Sequence, residues 1–169
     1  MMNNLIRIIF IYLTFFLGFV VTTIPWASEY VSLRPYWILV LLLIWSIKDP
    51  SKVGYITALV LGIFADSISG SHLGEHSIAF IIVTFLNKRL VKLYQNIGFV
   101  FQTLSTVFLI FLYSIIIFIL ELFSYNFIQF DKNFFLPILT STIIWAWLYV
   151  LIDMGQAWLG RRLGRSFGK

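Results

Sequence analysis

Six apolar stretches, separated by short polar breaks, set the hydrophobicity pattern of this chain: residues 5–24, 34–47, 53–68, 73–87, 97–122 and 134–152. A clean membrane crossing needs about 20 apolar residues, with ~17 as the lower limit. The first and the last two runs meet that length. The middle three fall short without their flanks, which fits helices shielded by neighbours, bordered by polar loops at membrane depth, or broken. Pro25-Trp26 ends the first run, Arg34-Pro35 opens the second, and Lys48-Asp49-Pro50 stops it. Proline at position 35 suits a first helical turn, where its missing N–H is not needed. Asn87-Lys88-Arg89 is expected to end the fourth run. The first run is longer than the apolar region of a signal peptide and no small-x-small site follows it, so it reads as a helix that stays. The longest polar stretch is about a dozen residues, too short for a separate soluble domain. Residues 1–169 therefore read as one all-α polytopic membrane domain with six transmembrane helices.

Composition agrees. The chain is 60% hydrophobic and 11% charged, with a mean hydropathy of +0.96, against about 25% charge in an average soluble domain. Cysteine is absent, which excludes disulfides, thiolate nucleophiles and thiolate metal sites. The net charge of +5 falls between the apolar runs, as topology signals do, so it does not point to nucleic acid. With the N-terminus inside, the cytoplasmic segments hold Arg7, Lys48, Lys52, Lys88, Arg89, Lys92, Arg161, Arg162, Arg165 and Lys169. Only Arg34 and Lys132 remain outside, a strong positive-inside asymmetry that places both termini in the cytoplasm. Trp26, Tyr30, Tyr36 and Trp37 then lie near the outer interface, and Trp45, Tyr94 and Trp158 near the inner one. The basic tail, residues 158–169, is expected to favour anionic headgroups by roughly 1 kcal/mol per charge.

The third run carries one carboxylate, Asp66, and closes on Ser69-Gly70-Ser71-His72-Leu73-Gly74. Small or acidic residues recur at every fourth position: Gly54, Ala58, Gly62, Asp66, Gly70 and Gly74. Such a ridge lets another helix approach closely. A charge inside an apolar segment costs at least ~2.5 kcal/mol and calls for a partner or a task. Arg34 sits at a similar depth, so an Asp66–Arg34 ion pair is one expectation. A cap on the Ser69-Gly70 turn is a second, and a carboxylate lining an outward cavity is a third. A proton relay lacks a second buried acid to receive the proton.

His72-Leu73-Gly74-Glu75-His76 matches H-x-x-E-H, an inverted zinc-protease signature. Gly74 and Ser69-Gly70 mark a turn instead of a ligand helix, and Glu121 is the one plausible carboxylate at that depth for a third ligand. The segment therefore reads as polar residues in a wet outer loop. The aromatic stretch Phe123, Tyr125, Phe127, Phe130, Phe134 and Phe135 fits either the membrane interface or a partner's helix. There is no P-loop, no G-x-G-x-x-G and no nucleophile arrangement.

Arg34-Pro35-Tyr36-Trp37, followed by Gly62-x3-Asp66-x2-Ser69-Gly70-Ser71-x-Leu73-Gly74, resembles the rod shape-determining protein MreD family of bacteria. The motif part covers roughly residues 34–90, and the last two runs resemble the family in hydropathy alone. The resemblance implies a non-enzymatic, cofactor-free component of the elongation machinery in the inner membrane. It would bind MreC and, through it, MreB and the RodA-type glycosyltransferase with its transpeptidase. A homo-oligomer is compatible with this, and membrane lipids are a further contact. The implied fold is similar to the substrate-binding subunits of energy-coupling-factor transporters, six helices around an outward pocket. Asp66, Ser69 and Gly70 would lie near that pocket or at a helix seam, and Gly54, Ala58 and Gly62 would give close helix contact in the assembly. A vitamin-capture subunit of such a transporter is the alternative. It is disfavoured by a first run (Leu5-Ile-Arg-Ile-Ile-Phe-Ile-Tyr) that carries no alanine before Ala27.

Overall fold

The computed structural model describes residues 2–94, 99–125 and 134–162. Among these lie six α-helices: α1 (Met2–Thr23), α2 (Trp37–Lys48), α3 (Tyr55–Ser69), α4 (Glu75–Tyr94), α5 (Phe99–Tyr125) and α6 (Leu136–Arg162), with a 3-10 helix, Ser28–Leu33, ahead of α2. Lys132, Phe127, Phe130 and the end of the basic tail fall outside the described residues.

The organising element is α2. Its 12 residues reach about 18 Å at roughly 1.5 Å per residue, short of the ~30 Å hydrocarbon thickness. Every residue from Ile38 to Ser46 is buried, and α2 touches α1, α3, α4, α5 and α6. A helix that is apolar on all faces has no solvent-facing side and takes the centre of the bundle. Two buried polar contacts fix its neighbours. Trp45 Nε1 donates to Thr14 Oγ1 on α1 at 2.8 Å. Asn87 Nδ2 on α4 donates to the Leu43 carbonyl at 3.1 Å and to Ser46 Oγ at 2.7 Å. Trp45 is thus 1% exposed, packed in the core three residues before the Lys48 end of α2.

Among the described residues, four segments are long and apolar enough to cross a membrane by length and composition: Asn4–Thr23, Tyr30–Lys48, Val100–Ser124 and Leu136–Gly160. Large apolar side chains such as Ile9, Phe16, Ile56, Phe64, Ile143 and Trp147 face outward from the bundle, the surface that lipid tails cover.

Three helix boundaries differ from the sequence reading. Pro35 is not in the first turn of α2, because Arg34 closes the 3-10 helix through its N–H to the Val31 carbonyl and adopts extended backbone. That conformation is the one a residue before proline prefers. Next, α4 runs through Asn87-Lys88-Arg89 to Tyr94. Asn87 is a buried clamp there, and Lys88 Nζ reaches the Pro50 carbonyl at 2.9 Å. Finally, α6 continues to Arg162, so the start of the expected tail is helical.

Polar contacts define the two ends of the bundle. At one, Arg7 lies 3.0 Å and Lys52 3.5 Å from the buried Asp49 carboxylate, and Lys48 pairs with Asp153. At the other, Arg34 donates to the Thr22 carbonyl, Tyr36 N–H donates to Ser141 Oγ at 2.9 Å, and Ser124 donates to Glu75 at 2.6 Å. The first is the basic end, where α1 starts and α6 finishes. The second is the turn end, which carries the α3–α4 connection.

Candidate functional site

Asp66 lies one turn from the end of α3 and is fully buried. Its carboxylate is turned onto the segment that follows. Oδ1 accepts from the His76 backbone N–H at 2.8 Å and faces His76 Nδ1 at 2.9 Å and Ser71 Oγ at 3.2 Å. Oδ2 accepts from the Gly74 N–H at 2.8 Å, and Ser77 Oγ is 3.4 Å away. Gly74 and His76 flank the start of α4, where backbone N–H groups lack helical partners and carry a partial positive charge. One carboxylate therefore caps the next helix and offsets its own burial.

Two glycines make this possible. Gly70 ends α3 at φ 69, its N–H returning to the Asp66 carbonyl, and Gly74 enters α4 at φ 112. Both are left-handed conformations that a side chain disfavours. The tight connection folds α4 back along α3. At Gly62 the two helices meet so closely that a Cβ would lie 2.3 Å from Ser77 Cα. Ala58 is fully buried, and at Gly54 a Cβ would meet only Lys88 Nζ, at 3.4 Å. The ridge at four-residue spacing thus belongs to the α3–α4 seam within one chain.

The expected Asp66–Arg34 pair is corrected. Among the described residues the side chains facing the Asp66 carboxylate are those of His76, Ser71 and Ser77, while Arg34 reaches the end of α1 at the Thr22 carbonyl. The wet-loop reading fits the exposed His72 and Leu73 and is corrected for Glu75 and His76, which open α4, with Glu75 5% exposed. The signal for His76 was its position ten residues after Asp66 across a two-glycine turn, which an antiparallel hairpin brings alongside. Asp49 and Asn87 carried no comparable signal.

A carboxylate can only accept, so the ring proton of His76 sits on Nδ1 and Nε2 is left to other partners. Ser71 Oγ lies 3.3 Å from that same Nδ1. A nucleophilic triad needs the serine on the opposite nitrogen, so these three residues form a turn lock.

Beside the lock, at the turn end, is a cavity of about 490 Å³. Arg34, Pro35, Ser69, Gly70 and His76 line it together with Tyr36, Trp37, Tyr113 and Glu121. Its aromatic wall is ordered: Tyr36 and Tyr113 meet edge to face at 5.0 Å, Phe80 stacks on Tyr113 at 5.6 Å, and Ser114 Oγ lies 3.3 Å from the Tyr36 hydroxyl. Of the nine residues singled out from sequence, Arg34, Pro35, Ser69 and Gly70 border this cavity, while Asp66 and Gly74 form the lock behind it. Gly54, Ala58 and Gly62 lie along the seam.

Fold and site together define a helical transmembrane protein whose buried carboxylate is bound to its own backbone. The family model for the rod shape-determining protein MreD matches residues 2–154, and the chain belongs to the MreD family. The rod shape-determining protein MreD of Haemophilus influenzae is 29% identical over 144 residues, covering 85% of this chain and 88% of that relative. No solved structure matches the chain.

Proposed function

We propose that this chain is a non-enzymatic membrane scaffold of the bacterial elongation machinery. It binds MreC and, through it, helps to position MreB and the RodA-type glycosyltransferase with its transpeptidase. The family match across residues 2–154 carries this reading. The geometry supports it, because the conspicuous charged group, Asp66, is engaged in capping α4. The orientation follows from charge: six helices cross the inner membrane, with the basic end of Arg7, Lys48, Lys52 and Lys88 in the cytoplasm together with both termini.

In this reading Arg34, Pro35, Gly54, Ala58, Gly62, Asp66, Ser69, Gly70 and Gly74 hold the bundle's shape. Partner contact falls to the outward apolar faces, since the small ridge is covered by α4. The test is co-expression with tagged MreC, detergent extraction and purification on the tag. Recovery of the folded chain with MreC is expected. A folded chain that never accompanies MreC, or that carries one bound vitamin per molecule, contradicts the proposal.

A further inference from the structure

Two charges of opposite sign line the turn-end cavity without an ion-pair partner among the described residues: Arg34 and Glu121. Arg34 uses one of its five N–H donors on the Thr22 carbonyl. Trp37 lines the same cavity, and its buried Nε1–H finds no acceptor among the described residues. A buried donor without an acceptor, and charges held among apolar walls, are costly unless something completes them.

An anionic ligand alone would satisfy Arg34 and Trp37 but be repelled by Glu121. A cation alone would have the reverse difficulty. A ligand carrying both charges answers all three groups. We infer that this cavity receives a zwitterionic headgroup, with its anionic oxygens at Arg34 and Trp37 Nε1 and its amine at Glu121. Tyr36, on the cavity wall, offers its ring to the ammonium. At about 490 Å³ the space lies within the usual range for small-molecule sites. The chemistry is that of phosphoethanolamine, either as the headgroup of an aminophospholipid or as the free compound. The inference does not depend on binding to MreC.

The full chain, purified in detergent and stripped of lipid, is titrated with phosphatidylethanolamine, phosphatidylglycerol or O-phosphoethanolamine and read by native mass spectrometry. One phosphatidylethanolamine per chain is expected, held about tenfold more tightly than phosphatidylglycerol, the ratio of one charge-assisted hydrogen bond. Glu121→Gln abolishes that preference. Trp37→Phe, which keeps an aromatic ring and removes the N–H, weakens both lipids severalfold. Free O-phosphoethanolamine binding as tightly as the lipid identifies a soluble ligand, and weaker binding identifies the lipid; either supports the assignment. Equal retention of the two lipids by the unmodified chain, or an undiminished preference in a folded Glu121→Gln chain, overturns it.

Discussion

The Asp66 carboxylate stands 2.8 Å from the backbone N–H of Gly74, eight residues further along the chain. That contact spans the whole α3–α4 turn, so one side chain ties the last turn of α3 to the start of α4. Replacing Asp66 with Ala strands the Gly74 and His76 N–H groups and leaves His76 without its carboxylate. Each buried donor left without its acceptor costs about 1–3 kcal/mol. The Asp66→Ala chain is expected to lose its thermal transition in detergent, or to shift it strongly downward, with Asp66→Asn intermediate because one acceptor oxygen remains.

Gly62 and Gly54 lie on the same ridge but should respond differently. Gly62→Ala places a methyl group 2.3 Å from Ser77 Cα, and backbone cannot yield as a side chain does. Overpacking of this kind costs about 1–3 kcal/mol. Gly54→Ala meets only the end of the Lys88 side chain, at 3.4 Å, but replaces the N-cap of α3 with a poorer capping residue, and is expected to lower the melting temperature slightly, less than Gly62→Ala.

Asn87 ties α4 to α2 through the Leu43 carbonyl and Ser46 Oγ. Asn87→Ala leaves a buried carbonyl without that donor and should destabilise by about 1–3 kcal/mol. Amide exchange is the sensitive readout, with faster exchange expected along the second half of α4 and little change at the α3–α4 turn.

At the basic end, Asp49 is held by Arg7 at 3.0 Å and Lys52 at 3.5 Å. Arg7→Ala leaves Lys52 as a partial substitute, so the loss should be near 1–2 kcal/mol, below that of a fully orphaned buried charge. Asp49→Ala leaves Arg7, 30% exposed, able to turn toward water. A larger loss from Arg7→Ala than from Asp49→Ala would show that the carboxylate is the group that needs its partner.

The sequence carried the helical architecture where periodicity was unnecessary. A 12-residue run that is apolar on every side has to be enclosed, and α2 is enclosed. The turn was legible from Ser69-Gly70 and Gly74, since left-handed backbone asks for glycine. The partner of Asp66 was not legible in the same way. Depth alone favoured Arg34, but a tight hairpin placed His76 nearer, and only the folded chain shows which donor wins. The end of α4 was misread because Asn87-Lys88-Arg89 looks like a boundary, although all three residues fit a helix once Asn87 has buried acceptors beside it. The cavity could not be read from spacing at all, because its lining comes from six separate segments.

The central claim is that Asp66 acts through the fold of a scaffold. The direct test is to express Asp66→Ala and Gly62→Ala chains in a rod-shaped bacterium lacking its own MreD, and to measure cell width, folded chain in the membrane and MreC recovered per folded chain. Rod shape is expected to fail in proportion to the loss of folded chain, with MreC per folded chain unchanged. Normal amounts of folded Asp66→Ala chain, together with round cells or lost MreC, would contradict the account.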